Sequence, residues 1–96
     1  MENKVLIKLI VPESMKTYDI FIPVNEFIWK VTNLIVKAVS DLSNSLNKNT
    51  DYLLIDSTTG QPYENNKLVI ESNIRYGTSI ILCPCPKSII PINIQK

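Results

Sequence analysis

The strongest nucleophiles and metal ligands in this sequence are two thiols, Cys83 and Cys85, set one residue apart around Pro84. Residues i and i+2 of an extended strand point the same way. Such neighbours cannot staple distant parts of a fold, which excludes a structural disulfide framework. Two thiols are half of a four-ligand zinc site. The chain has no histidine, so the commonest general base and a common metal ligand are both missing. No basic partner can be placed beside either thiol to activate it. The expectation is two reduced thiols at a strand end. Acidic residues are scattered; Asp56 and Glu64 could meet across a loop, but read as solvated loop charges. Two glycines cannot build a phosphate-cradling loop, and no such motif occurs. The sequence therefore points to no catalytic residue, no cofactor and no metal, and to a protein that is not an enzyme.

What remains for these residues is binding, and composition narrows the partner. The chain has 96 residues, enough for one domain, and 45% of them are apolar, enough for a dense small core. A net charge of +1 gives no basic surface for a nucleic acid. Apolar runs fall far short of the ~20 residues that cross a bilayer, so no direct membrane insertion is expected. The opening Met1-Glu2-Asn3-Lys4 runs directly into Val5–Val11, which carries Lys8; it lacks the charge-free core and small-residue end of a signal peptide. A cytoplasmic protein is expected.

Periodicity gives the elements. Val5–Val11 is a β-branched strand, Pro12–Lys16 a turn, and Thr17–Ile22 an alternating strand stopped by Pro23. Asn25 is a candidate N-cap for a helix from about Glu26 to Ser43, on which Phe27, Ile28, Val31, Leu34, Ile35, Ala38, Val39 and Leu42 recur at helical spacing. Tyr52–Asp56 is a third strand, Lys67–Ile70 a brief one, and Thr78–Cys83 the last. Gly77 sits in a turn that needs positive φ. The order strand, strand, helix, strand, short strand, strand predicts an α+β fold: a mixed four- to five-stranded β-grasp sheet with one helix on one face. Residues 1–83 form the domain, and residues 84–96 a tail rich in proline and isoleucine.

The segment Asp51–Pro62 resembles the third strand and following loop of ubiquitin-like proteins. Val69–Leu82 resembles their closing pattern of apolar residue, small loop, Ile74, turn Gly77 and apolar strand. Within that superfamily the chain looks most like the YukD/EsaB group, small bacterial proteins associated with type VII secretion. The resemblance implies a non-conjugated ubiquitin-like adaptor or accessory protein of such a system, acting by protein–protein binding. The alternative is a self-associating or partner-binding β-grasp module in another bacterial assembly. Ubiquitin and the sulfur carriers end in Gly-Gly. This sequence ends Asn93-Ile94-Gln95-Lys96, so conjugation through that end is not expected.

Two surfaces qualify for a protein partner. On the outer sheet face, strand alternation turns Leu6, Lys8 and Ile10 outward, with Asp19 and Phe21 beside them. Alignment on the ubiquitin-like pattern adds Leu54 and Ile81. Leu6, Leu54 and Ile81 then form one apolar stripe, open to a partner or a second copy of the chain, or covered by the tail through Ile89, Ile90 and Ile92. The other surface is a helix strip carrying Trp29 and Val36 with Thr32, Asn33, Ser40 and Ser43. There the competing reading has Trp29 closing the end of the core.

Overall fold

A computed structural model describes residues 3–42, 46 and 50–85. Strands β1 (Lys4–Val11) and β2 (Lys16–Pro23) form a hairpin; helix α1 (Ile28–Leu42) follows, then β3 (Asp51–Asp56), a 3-10 turn at Val69–Glu71, and β4 (Ser79–Cys85). The four strands lie in the order β2-β1-β4-β3, with β1 and β4 parallel at the centre and the other pairs antiparallel. This is the β-grasp expected from the element order, in the ubiquitin-like form that the resemblance implies.

The core is the contact between one face of this sheet and one stripe of α1. Ile7, Leu9 and Val11 of β1 alternate inward with Ile22, Leu54, Ile80 and Leu82. From the helix come Ile28, Val31, Ile35 and Val39, all buried. Thr32 is also buried, its hydroxyl donating 2.8 Å to the Ile28 carbonyl, which satisfies the one polar group in that stripe.

The start of α1 differs from expectation. Asn25 lies before the helix, which begins at Ile28. Its first donors are satisfied by main chain: the Ile28 N–H donates to the Lys67 carbonyl at 2.9 Å and the Trp29 N–H to that of Asn65 at 3.3 Å. The segment read as a brief strand thus serves as the helix cap, and only Leu68 within it makes a strand-like bridge, to Phe27. Gly77 adopts φ +88, as the turn requires.

The last strand continues through Pro84 to Cys85, two residues past the expected end. The ladder explains why proline is admitted. The Ser57 N–H donates to the Ser79 carbonyl, which fixes Leu53/Cys83 as a hydrogen-bonded pair and Tyr52/Pro84 as a non-hydrogen-bonded one. The nitrogen of Pro84 therefore faces away from β3, toward the side on which the β1 ladder has already ended at Ile81. No ladder donor is lost there. The expected tail contacts of Ile89, Ile90 and Ile92 lie outside the described residues.

Candidate protein-binding face

Strand register sorts the outward side chains of the sheet into rows. Leu6 lies opposite Phe21. One step along, Lys8 stands between Asp19 of β2 and Ser79 of β4. In the next row Ile10 neighbours Ile81, and Ile81 neighbours Ile55. Cys83 beside Leu53 and Cys85 beside Asp51 complete the face. The polar row of Lys8, Asp19 and Ser79 divides the apolar surface into a Leu6–Phe21 pair and a five-residue patch of Ile10, Ile81, Ile55, Leu53 and Cys83. Phe21 is the most open of these at 63% exposure, whereas the patch residues are half-buried.

Leu54 does not belong to this face. It is 1% exposed and packs in the core opposite Leu82. Tyr52, Leu54 and Asp56 point inward, and Leu53 and Ile55 outward. The run Tyr52-Leu53-Leu54-Ile55 is apolar throughout, so it carries no alternation from which to read its phase, and a one-residue shift exchanges the two faces. The expected stripe of Leu6, Leu54 and Ile81 is thus corrected to Ile10, Ile81 and Ile55, with Leu6 set apart beside Phe21.

The helix strip is brought together in part. Trp29 and Val36 line a groove of about 950 Å³ between α1 and β3, shared with Asn33, Ser40, Tyr52 and Leu53. Trp29 is 48% exposed, so it does not close the core, while Val36 packs partly against it. Thr32, assigned to the same strip, is buried. Sequence reasoning missed the opposite flank: Leu34, Ala38 and Leu42, counted among the core positions, are exposed. For Leu34 the signal was legible as a phase difference, roughly 100° around the helix from the centre of the Ile28, Val31, Ile35 and Val39 stripe; Ala38 lies roughly 65° from it, and Leu42 shares the phase of the stripe but is the last residue of α1.

Asp56 is not the solvated loop charge expected from its position. It is 7% exposed; one carboxylate oxygen accepts from the Thr58 N–H and the other from Asn73 Nδ2, both at 2.9 Å. This Asx turn ends β3 and ties it to the loop that feeds β4, a role the Asp56-Ser57-Thr58 sequence could have signalled. The bond from Asn73, followed by that from Thr58, holds the carboxyl below the ordinary Asp range, outweighing the opposing effect of burial. A lowered folded-state pKa contributes stability that is present above the unfolded value, about 3.9, and is lost as pH falls through the folded one. The Asp56→Asn variant is therefore expected to lose less stability than wild type as pH falls below about 4, read by urea denaturation along the acid limb. An unchanged acid limb would place the destabilising protonation elsewhere. Glu64, by contrast, pairs at the surface with Lys67 at 3.7 Å. Burial and then the Asp56 charge push the Tyr63 phenol up to about 12.

Cys83 and Cys85 are both free, the first half-buried and the second exposed. Among the described residues no group of three or more Cys, Asp or Glu could hold a metal ion. The Cys83→Ser/Cys85→Ser protein is expected to melt within a few degrees of wild type. A collapse of its melting temperature, or stoichiometric zinc in the native protein, would assign the thiols a structural role.

No family model and no curated protein matches the sequence. Solved structures do. A chain of the MycP5-free ESX-5 inner membrane complex is 11% identical with a TM-score of 0.77, over 99% of this chain but 24% of its own. The EccD5 ubiquitin-like domain from Mycobacterium xenopi is 13% identical with a TM-score of 0.77, over 91% of this chain and 100% of its own. The ubiquitin-like domain of the Mycobacterium tuberculosis type VII secretion system protein ECCD1 is 8% identical with a TM-score of 0.67, over 85% and 99%. The first of these chains is thus about four times as long as the part this protein matches. A chain of a toluene 4-monooxygenase complex shares the fold at 6% identity and a TM-score of 0.71. At these identities the likeness establishes the ubiquitin-like fold, and function has to be argued from the surface. Among the described residues no helix is long and apolar enough to cross a membrane.

Proposed function

We propose that this chain is a non-conjugated, cytoplasmic ubiquitin-like module of a type VII-like secretion machine of the YukD/EsaB kind, which acts by holding a protein partner and does no chemistry of its own. The observation that carries this reading is near-full-length likeness to ubiquitin-like domains of EccD proteins. Support comes from an apolar patch on the one sheet face that α1 does not cover. One helix can cover only one face of a sheet, and apolar residues on the other face need a second surface to leave water. Ile10, Ile81 and Ile55 form one apolar row across three adjacent strands of that face, anchors of the kind an interface uses, with the Lys8–Asp19 row between them and the Leu6–Phe21 pair. Phe21 and Leu6 extend the contact across the polar row.

The test is an Ile55→Asp variant, since β3 is an edge strand and tolerates a polar side chain better than the centre. Crosslinking in the producing cell identifies the partner. Its affinity for Ile55→Asp is expected to fall tenfold or more, a loss of about 1.4 kcal/mol or greater, with the melting temperature changed by only a few degrees. Undiminished partner binding by a folded Ile55→Asp protein would eliminate the sheet face and move attention to Trp29 and Val36. Deleting the gene is expected to reduce export through the type VII pathway. Normal export would favour the second reading, a β-grasp module of another assembly, which the shared fold of the monooxygenase chain supports.

A further inference from the structure

We propose that the open edge of β2 is a self-association site, at which a second copy of this chain pairs antiparallel so that Ile20 of one copy lies opposite Ile20 of the other. The site is separate from the Ile10–Ile81–Ile55 row and stands whether or not that row holds a partner.

The order β2-β1-β4-β3 leaves two sheet edges. The edge of β3 is occupied: the Asp56 N–H donates to the Gln61 carbonyl and the Tyr63 N–H to that of Leu54, both at 2.9 Å. The edge of β2 is open. The Val24 N–H donates to the Asn3 carbonyl at 2.9 Å, which fixes the phase of the hairpin ladder: Ile22, Ile20 and Tyr18 exchange bonds with Val5, Ile7 and Leu9. The N–H and C=O groups of Thr17, Asp19 and Phe21 therefore point away from β1, and among the described residues they have no partner. A row of such groups, two residues apart, fits an extended backbone. Edges that avoid pairing carry a bulge, an inward charge or a proline. Here the register runs unbroken from Lys4/Pro23 to Val11/Lys16, and the inward Tyr18 and Ile20 are uncharged and half-buried. Pro23 is only the last residue of the strand. The flank of α1 turned away from the β3 groove adds Leu34 and Ala38, both exposed.

Charge and strand length select the register for a second β2. A two-fold axis through Asp19 sets like charges directly opposite, which is destabilising. An axis through Tyr18 brings Phe21 against Met15, which has φ 56 and precedes the strand; only Thr17 and Asp19 then exchange bonds. An axis through Ile20 lets Asp19 of each copy exchange both bonds with Phe21 of the other. Each Thr17 N–H then meets a Pro23 carbonyl, the one main-chain group a proline offers. On the inner side Ile20 meets Ile20 and Tyr18 meets Ile22, apolar against apolar. On the outer side each Asp19 keeps Lys8 of its own copy as a neighbour. One patch serves both copies, as a closed two-fold dimer requires. A single strand pair covers less than the roughly 1,200 Å² of a stable complex, so the dimer is weak and concentration-dependent.

Sedimentation of the full chain, from micromolar to millimolar, is expected to show a monomer–dimer equilibrium. Asp19→Pro removes an edge donor but no bond to β1, and is expected to weaken association tenfold or more with amide dispersion retained. Ile20→Lys and Ile20→Glu are each expected to be monomeric, and their equimolar mixture to associate, because at the axis a residue faces its own copy. In the Cys83→Ser/Cys85→Ser background, mild oxidation of Ile20→Cys is expected to give a covalent dimer. Residues of a non-hydrogen-bonded pair lie about 4.5 Å apart at Cα, within reach of a disulfide. Tyr18→Cys, the control, is expected to stay uncrosslinked. A wild-type chain that remains monomeric throughout the range overturns the proposal. So does a dimer that Asp19→Pro leaves unchanged, or one that Ile55→Asp abolishes, since association then runs through the outer sheet face. Cross-linking of Tyr18→Cys in place of Ile20→Cys overturns the register.

Discussion

Leu54→Asp is expected to leave no folded protein at 25 °C, whereas the same change one residue on, at Ile55, leaves the fold intact. Leu54 is 1% exposed, with buried Leu82 directly across the strand pair. Removing its side chain from the core costs about 2–5 kcal/mol through lost burial and the cavity left behind. The new carboxylate would then have to be desolvated without a partner or take up a proton, a further cost of several kcal/mol. A domain of this size has about 5–14 kcal/mol in total at the usual stability per residue. The sum consumes most or all of that. Circular dichroism and amide dispersion check the result: loss of both at Leu54, retention of both at Ile55. A cooperative melt for Leu54→Asp within a few degrees of wild type would show that the phase of β3 is inverted, and would return Leu54 to the outer face.

The contrast between these neighbours also marks where the sequence is informative. The hairpin of β1 and β2, helix α1 and the turn at Gly77 were legible because each carries its own local signal: charge interrupting an apolar strand at Lys8, alternation at Tyr18, Ile20 and Ile22, a helical period, and a glycine where φ is positive. The phase of β3 was not, because an unbroken apolar run has no period and its register is set by pairing with β4. The cap of α1 was hidden for a related reason: its acceptors are the carbonyls of Asn65 and Lys67, some forty residues along the chain, and main-chain groups leave no residue-specific mark. Asp56 sat between these cases. Its Asx turn is local, but its second partner, Asn73, is seventeen residues away. The outward orientation expected for Leu6, Phe21 and Ile81 matches the strand register, but their expected single stripe does not, since a polar row separates Leu6 from Ile81. The polar row that splits the stripe follows from Lys8 and Asp19, which were both read as outward, but their pairing with Ser79 required the register of β1 on β4.

The helix gives the second large effect. Ile35→Ala is expected to destabilise the protein by about 2–5 kcal/mol. Ile35 is 3% exposed and stands midway along the buried stripe formed by Val31 and Val39, over the inward residues of the sheet. Alanine has the better helix propensity, but the gain is at most ~0.7 kcal/mol and does not offset the lost burial. For a domain of this length each kcal/mol lowers the melting temperature by about 4–8 °C, so a fall of ten degrees or more is the expected reading. Leu34→Ala, at the adjacent position, is the internal control. Leu34 is 49% exposed on the flank outside the stripe, and its truncation is expected to cost less than about 1 kcal/mol. Urea titrations of both variants should show unchanged slopes, since the same surface is exposed on unfolding. Equal losses at Leu34 and Ile35 would mean that something packs on that flank in solution. A larger loss at Leu34 would mean that the helix is rotated from the orientation on which the core assignment depends.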